Sequence, residues 1–432
     1  MSLSRAGERI RSATRAASVT LCAAVLCVGL CAALCAGASA AILYVENLSD
    51  AVAGTGSQDD PFRRLQDAID SAADGDILII GPGTYSAEPT AFTEPLCGNC
   101  EAHITNVAAT TGFRVVGKAL RMVGSGTSET ILRTNAGYGL YFEDSAGSVV
   151  EALMITGGVR DPDGAATDAA VVARRSSVTL KGLLIADNTN RAEDVVVGIG
   201  GVMGREGAEL TVTGNTIRNN GWDGVALYRG AAALISDNEI AQGRGAGVGV
   251  TWDAVATVLR NDIHDYWKGI GSFGSSRVVA RNNTVHDNLG WGIVVTGTSF
   301  MEAANNAVVK NGNCGFALWS DDASCVFTNN IVVGNGWRDE WVCPQVGVWM
   351  NGAAANAEIT YNDVWGNVAD EFRDMEAVTG IDGNISLDPA FEDSLDFHLR
   401  EGSPCIDTGN PVFTDPDGGP ADMGAFGGPQ SH

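Results

Sequence analysis

Asparagine recurs along the middle of the chain at a nearly constant spacing. These residues lie 22 to 24 positions apart, except for 32 between the last two, and each stands two residues before an aliphatic one: Asn215, Asn238, Asn261, Asn283, Asn306, Asn330 and Asn362. Leu153 and Leu183 occupy the same position of the repeat further upstream. A period of this length is typical of a solenoid, in which each repeat covers the hydrophobic face of its neighbour. We therefore expect the 432 residues to form one continuous stack.

The repeat divides into strands. Apolar residues alternate before the asparagine, a short apolar segment follows it, and a third segment opens on glycine about nine residues later, at Gly224, Gly247, Gly269, Gly292, Gly315 and Gly347. Alternation with period two indicates β-strands. The pattern predicts an all-β, single-stranded parallel β-helix with three strands per coil and about ten coils. The asparagines are expected to stack at a tight turn and to bond one another.

The ends of the chain differ from the repeat. Residues 62–72 have helical apolar spacing and follow Asp59-Asp60-Pro61, which predicts a short amino-terminal capping helix. We divide the chain into a signal peptide over 1–40, an opening and cap segment over 41–100, coils over 101–367 and a closing segment over 368–432.

The first 40 residues have the features of a secretory leader. Four arginines precede an apolar run, and Ala38-Ser39-Ala40 is a cleavage site of the A-x-A type. We expect a secreted protein, extracellular or at the cell surface, with the periplasm as an alternative, and no membrane span beyond the leader. The formal charge of -25 argues against nucleic acid as a partner.

Segments at both ends of the chain resemble a known group. The opening segments are 43–45 (LYV), 65–69 (LQDAI) and 75–85 (GDILIIGPGTY), and the closing ones are 388–391 (DPAF), 396–399 (DFHL), 402–407 (GSPCID) and 422–426 (DMGAF). They resemble secreted right-handed parallel β-helix repeat proteins of the pectate-lyase-like superfamily. The resemblance implies a right-handed helix. It is weak for activity, because this scaffold carries lyases, glycosidases, epimerases and non-catalytic surface proteins.

Aromatic residues concentrate where that superfamily places its cleft, on the outer face of the glycine-opened strands. Strict alternation puts Tyr228, Thr251, Phe273, Thr296 and Trp319 outward, with no carboxylate among them. The carbohydrate-binding candidates are Trp222, Tyr228, Trp267, Phe273, Trp291 and Trp319. Sugars stack on such rings, although the same rings could serve to pack loops onto the rod.

A pair of histidines provides the best acid–base candidate. His264 and His286 stand at the same position of adjacent coils, with Asp265 and Asp287 beside them and Lys268 nearby. A lyase needs a base and a cation that stabilises the anion it generates. A solvated pair of loop histidines is the plainer interpretation. The arginine and calcium-ligand arrangement of pectate lyases is not recognisable.

An acidic octapeptide occurs twice and suggests calcium. Its carboxylates are Asp161, Asp163 and Asp168 in one copy and Asp415, Asp417 and Asp422 in the other. Hard oxygen ligands at this spacing suit Ca²⁺. The D-P-D-G sequence is also an ordinary type I turn, so both interpretations stay open.

Six cysteines follow the leader. Cys97 and Cys100 are expected to form a local structural bridge. A redox C-x-x-C motif would be expected beside a βαβ pattern, and the sequence does not show that pattern. The repeat places Cys325 inward, and we prefer a bridge from Cys314 to Cys343.

These observations leave three functions open. The first is binding, with or without processing, of an extracellular polysaccharide or cell-surface glycan through the aromatic groove. The second is a structural or adhesive rod, and the third is a polysaccharide lyase or epimerase. We expect a monomer, with Ca²⁺ as the one candidate cofactor.

Overall fold

The structure is a computed structural model that describes residues 40–48, 54–191, 198–351 and 356–431. The leader expected over 1–40 lies outside these residues, apart from Ala40. Ala41–His432 form one compact unit.

Three long sheets run the length of this unit, and each coil contributes one strand to each sheet. Sheet A holds, in spatial order, β1 (Ile42–Val45), β2 (Ile77–Ile80), β6 (Arg121–Val123), β9 (Ala146–Glu151), β13 (Ser177–Lys181), β17 (Glu209–Thr213), β20 (Ala232–Ser236), β23 (Val255–Leu259), β26 (Arg277–Arg281), β29 (Phe300–Ala304), β32 (Ser324–Thr328) and β35 (Ala357–Thr360). Neighbours in sheet A are parallel, as the period predicts.

Sheet B follows sheet A in each coil and is made of shorter strands. It holds β3 (Gly83–Ser86), β7 (Thr130–Arg133), β10 (Met154–Thr156), β14 (Leu184–Ala186), β18 (Thr216–Arg218), β21 (Glu239–Ala241), β24 (Asp262–His264), β27 (Thr284–His286), β30 (Ala307–Val309), β33 (Ile331–Val333) and β36 (Asp363–Trp365). A two-stranded sheet, β11 (Val159–Arg160) with β15 (Asn190–Arg191), extends two of its coils.

Sheet C contains the glycine-opened strands. It holds β4 (Thr90–Glu94), β5 (Val107–Val116), β8 (Tyr138–Glu143), β12 (Ala169–Arg174), β16 (Gly200–Arg205), β19 (Val225–Leu227), β22 (Ala246–Val250), β25 (Lys268–Ser272), β28 (Trp291–Val295), β31 (Phe316–Leu318), β34 (Val346–Met350) and β37 (Asp370–Arg373). Only β4 is antiparallel within the described part of this sheet, and it forms a hairpin with β5. The predicted parallel β-helix with three strands per coil is confirmed.

One helix, α1 (Leu65–Ser71), is present among the described residues. It buries Leu65, Ala68 and Ile69 against the first coil, as predicted for a cap, and is shorter than the expected 62–72. Within the described ranges no helix has the length and apolar character needed to cross a membrane.

The predicted asparagine stack lies at the turn between sheets A and B. Asn283 is representative: its Nδ2 donates to Oδ1 of Asn306 at 2.9 Å and to the carbonyl of Val258 at 2.9 Å. Its backbone N–H donates to the same Oδ1 at 3.0 Å. Each amide in the row thus satisfies buried backbone groups of the neighbouring coils, which would otherwise cost about 1–3 kcal/mol each.

A second row of asparagines, at the turn between sheets B and C, is interrupted for two coils. Gly243 and Tyr266 stand where the row would continue between Asn220 and Asn288. The Tyr266 ring fills the space, because a Cβ on Gly243 would lie 2.1 Å from it. A buried aromatic ring therefore replaces two amides.

Irregular segments cover parts of the outside of the rod. The hairpin β4–β5, with the loop that connects its two strands, packs on the outer face of sheet C near its amino-terminal end, around Tyr138 and Tyr141. The carboxy-terminal segment packs on the outer face of sheet B through Phe391, Phe397 and Met423. These two coverings determine which surfaces stay open.

Candidate functional site

The open surface of sheet C is shaped by its glycine row. An added Cβ on Gly269 would lie 2.3 Å from Val285 Cγ1 of sheet B, so this position points into the core. The next residue, Ile270, is also buried in the core. Two successive inward positions break the alternation, and the residue before each glycine consequently points outward.

This break brings an unpredicted row of side chains to the outer face. Lys268 pairs in register with Ala246 on one side and with Trp291 on the other, and Asp223 precedes Gly224 one coil earlier. The expectation that no carboxylate lies on this face is therefore wrong. Strict alternation counted back from Val225 had placed Asp223 inside.

Asp223 and Lys268 influence each other across Ala246. Asp223 Oδ1 accepts a hydrogen bond of 2.6 Å from the backbone N–H of Ala246. Burial raises the pKa of Asp223 to about 6, while that hydrogen bond and the charge of Lys268 oppose the rise. Burial lowers the pKa of Lys268, and the charge of Asp223 opposes this change. The pair thus places an acid and an ammonium, both half-buried, on the same face of sheet C.

Glycines form the floor between this row and the next outward row. Gly249 and Gly271 are paired in register, and Gly249 has no atom closer than 3.5 Å to an added Cβ. The Phe273 ring lies over Gly271, because a Cβ there would meet it at 2.3 Å. Tyr228 lies on the far side, where burial raises the pKa of its hydroxyl and the charge of Asp223 adds to the rise. We call this stretch, from Asp223 to Phe273, the glycine-floored depression.

The predicted aromatic residues fall into different environments. Trp222 is 40% exposed, and Tyr228, Trp267, Phe273 and Trp319 are half-buried. Trp291 is only 2% exposed. Five of the six rings therefore reach the surface at the depression or beside it, whereas Trp291 is covered.

Tryptophan packing explains why Trp291 is covered. Its ring stacks on Trp319 at 5.4 Å, and Trp319 packs on Trp349 at 5.8 Å. Trp267 contacts Trp341 at 5.1 Å, with the Arg338 guanidinium 4.7 Å from the Trp267 ring. In the carboxy-terminal part of the face the tryptophan rings therefore pack against one another and against loops, as the second interpretation of the aromatic residues expected.

The amino-terminal part of the same face is sealed by an ion-pair cluster. Arg205 is fully buried and pairs with Glu94 of the hairpin. Arg174 pairs with Glu206 at 2.7 Å and with Glu143 at 3.2 Å. Burial lowers the pKa of Arg205 to about 10. Sequence reasoning missed this cluster, because Glu94 lies outside the repeat.

The two histidines and Lys268 do not form one site. His264 and His286 lie on sheet B, whereas Lys268 lies among Phe273 and Trp291 on the outer face of sheet C. Asp265 and Asp287 bond the histidine rings and stay with sheet B. The turn between sheets B and C separates the two groups.

The carboxylates of the acidic octapeptides bond backbone amides. Asp161 accepts from Thr110 N–H at 2.8 Å, and Asp163 accepts from Ala108 N–H at 2.9 Å. These two bonds tie the first copy to β5, and Asp168 accepts from the N–H of Asp161 at 3.0 Å within the copy itself.

The second copy behaves in the same way. Asp417 accepts from Gly419 N–H at 2.8 Å, Asp415 from the N–H of Asp422, and Asp422 from Asp407 N–H at 2.7 Å. Neither copy brings three potential metal-ligand atoms within 4.8 Å of one another. Within the described ranges, only Asp262, His264 and His286 form such a group.

The cysteines follow the predictions in part. Cys97 and Cys100 are bridged, and Cys325 is buried in the core as predicted. Cys314 and Cys343 are in contact as buried thiols, and the preferred bridge between them is not formed in the structure. Cys405 is a buried free thiol that donates to Asp363 Oδ2 at 3.3 Å.

Comparison with known proteins supports the architecture. Residues 197–364 match the family described as "Right handed beta helix region". A pectate lyase, Pel9A, superposes with a TM-score of 0.50 at 15% identity, over 90% of this chain and 97% of the lyase. A GH136 lacto-N-biosidase from Eubacterium ramulus superposes with a TM-score of 0.50 at 12% identity, over 77% of this chain and 68% of the biosidase.

The comparison with curated protein sequences gave no match. At these identities the solved structures are informative about the fold alone. The chain has the right-handed parallel β-helix fold, which it shares with the pectate lyase and the biosidase.

Proposed function

We propose that the chain binds a polysaccharide along the outer face of sheet C, centred on the glycine-floored depression. The observation that carries the proposal is the group of aromatic rings, Trp222, Tyr228, Trp267 and Phe273, that reach the surface between a sealed amino-terminal part and a tryptophan-packed carboxy-terminal part. Both the lyase and the biosidase that share the fold are named for action on carbohydrates. The fold likeness is compatible with binding and does not identify the sugar.

The chemistry of the depression suits a sugar chain. Trp222 and Trp267 precede strands two coils apart, which is about 10 Å along the axis. The exposed Trp222 ring, and the part of the Trp267 ring that Arg338 and Trp341 leave uncovered, offer apolar surface to sugar C–H groups. Asp223 and Lys268 offer an acceptor and donors to hydroxyl groups between them. Gly249 places no side chain between these groups, whereas the Phe273 ring covers Gly271.

Binding is tested on a panel of neutral and uronate polysaccharides with the variants Trp222→Ala and Trp267→Ala. Each is expected to weaken binding roughly 3- to 10-fold, because a stacked ring contributes about 0.5–1.5 kcal/mol. The matched control is Leu234→Ala, an exposed apolar residue on sheet A, which should bind as the wild type does. A wild type that binds no polysaccharide, or a control that loses as much affinity, would contradict the proposal and favour a structural rod.

A lyase or epimerase acting in the same depression is the second candidate. It is supported by Asp223 and Lys268, which place an acid and a base on one face. In a lyase, a base removes the proton at C5, the C4–oxygen bond breaks, and the departing oxygen takes a proton. The unsaturated product absorbs ultraviolet light, so the cleavage of uronate polysaccharides can be followed directly by absorbance. A rise that Lys268→Met abolishes supports this candidate, and a flat wild-type trace removes the lyase.

A further inference from the structure

Sheet B carries a compact group of metal-binding side chains away from the glycine-floored depression. His264 of β24 and His286 of β27 are paired in register, and their rings stack at 4.9 Å with an angle of 21° between planes. Asp262 begins β24 two residues before His264, so the two side chains point to the same face. The ligand atoms of these three residues all lie within 4.8 Å of one another.

Each ring is held by the carboxylate of the residue that follows it. His264 Nδ1 bonds Asp265 Oδ2 at 2.9 Å, and His286 Nδ1 bonds Asp287 Oδ2 at 2.8 Å. Both aspartates have positive φ, 57° and 49°, and this turn directs each carboxylate back to the preceding ring. A carboxylate that holds Nδ1 orients the ring so that Nε2 can bind a metal ion, as in carboxylate–histidine–metal sites.

The free nitrogen of His286 faces an oxygen. His286 Nε2 lies 2.9 Å from Asp262 Oδ1, which also accepts a 2.9 Å hydrogen bond from Thr284 Oγ1. A ring nitrogen and a carboxylate oxygen at this separation are close enough to bind one cation together.

We propose that Asp262, His264 and His286 bind a divalent transition-metal ion, with Zn²⁺ as the representative case. Two imidazoles and one carboxylate suit Zn²⁺ and its neighbours better than Ca²⁺, which prefers six to eight oxygens. Ligand atoms on one tetrahedral Zn²⁺ lie roughly 3.4 Å apart. Asp262, whose side chain is 50% exposed, can make the small adjustment that this requires.

The local charge favours a cation. Asp262, Asp265 and Asp287 bring three carboxylates to two imidazoles. Arg260 pairs with Asp237 at 2.7 Å, which leaves its charge engaged elsewhere. A divalent ion would offset most of the negative charge that remains.

One of the three ligands, Asp262, also lines a cavity. This cavity of about 390 Å³ lies between sheet B and the carboxy-terminal segment, and Thr284, Phe397 and His398 line it as well. The Phe397 ring stands 5.2 Å from the ring of His286. A small molecule in this cavity would approach a metal ion from the side of Asp262.

Metal uptake by the full-length protein tests the proposal. After treatment with a chelator and dialysis, the wild type is expected to take up one Zn²⁺ per chain by elemental analysis. With Co²⁺ it should develop visible absorption of a four-coordinate ion. The variants His264→Ala, His286→Ala and Asp262→Ala should each lower metal affinity at least ~10-fold, and Asp287→Asn should lower it about 10- to 100-fold through the ring it positions.

The control is His103→Ala, a histidine of the disulfide loop on the sheet C side, which should keep the wild-type affinity. X-ray absorption of the Zn²⁺-loaded wild type should show two imidazole ligands and needs no variant to fold. A wild type that binds no more Zn²⁺ than His264→Ala and His286→Ala, or a spectrum without two imidazoles, would overturn the proposal.

Discussion

Polar side chains in this chain satisfy buried backbone groups, and they also attach irregular segments to the β-helix. The asparagines do the first: Asn283 alone satisfies the Val258 carbonyl and positions its own backbone N–H against Asn306. The buried carboxyls Asp161 and Asp168 do the second. They face each other around Gly137, where an added Cβ would lie 2.2 Å and 2.4 Å from their oxygens.

The Asp161–Asp168 pair predicts a dependence of stability on pH. Burial and the charge of Asp161 raise the pKa of Asp168 to about 8. The folded state therefore holds a proton that the unfolded state, with a pKa near 3.8, releases. The stabilising contribution is complete below about pH 4 and is lost as pH rises toward 8, with a slope of at most about 1.4 kcal/mol per pH unit.

The variant Asp168→Asn checks this prediction by urea unfolding between pH 4 and pH 9. Its amide can donate to Asp161 as the protonated acid does. We expect wild-type stability at pH 4 and higher stability than the wild type at pH 9. Two curves that stay parallel across this range would show that Asp168 is ionised in the folded state.

The glycine row decides the geometry of the elements. At each of these positions a side chain would enter the core between sheets B and C. A Cβ added to Gly269, for example, would lie 2.3 Å from Val285 Cγ1. The resulting break in alternation turns Asp223 and Lys268 outward. Inward and outward side chains therefore do not alternate strictly along a strand of sheet C. The assignment of faces from the sequence was wrong for Asp223 because it assumed strict alternation.

Gly269→Ala is expected to destabilise the fold by about 2 kcal/mol, because a β-branched neighbour and the Gly292 carbonyl, 2.6 Å from the added Cβ, leave no room. Gly164→Ala is the matched control, since an added Cβ there meets no atom within 4 Å. It should change stability by less than about 0.5 kcal/mol. Thermal and urea unfolding midpoints measure the stability of both variants. Equal loss of stability in the two would show that lack of core space is not the reason for the glycine row.

At the scale of the whole molecule, stability is shared between neighbouring coils and the segments that cover them. The carboxy-terminal segment buries Ala307, Val309 and Ile331 on the outside of sheet B through Phe397 and Met423. Because each coil contacts chiefly its neighbours, removal of a covering should act locally.

Truncation after Ile385 tests this locality by hydrogen exchange. It keeps Asn384, which accepts the last hydrogen bond of the asparagine row from Asn362. Exchange should become at least ~10-fold faster in β30, β33 and β36 and stay unchanged in β14 and β18. A uniform change along the rod would instead indicate one cooperative unit.

The sequence by itself determined the repeat, the three strands per coil, the inward position of Cys325 and the stacking of the asparagines. These follow from a period of about 23 residues, because residues one period apart must meet in a stack. Tertiary structure decided which faces stay open. The hairpin that seals Arg205, the carboxy-terminal segment on sheet B and the outward turn of Asp223 depend on non-repeating contacts and on core space, which periodicity does not encode.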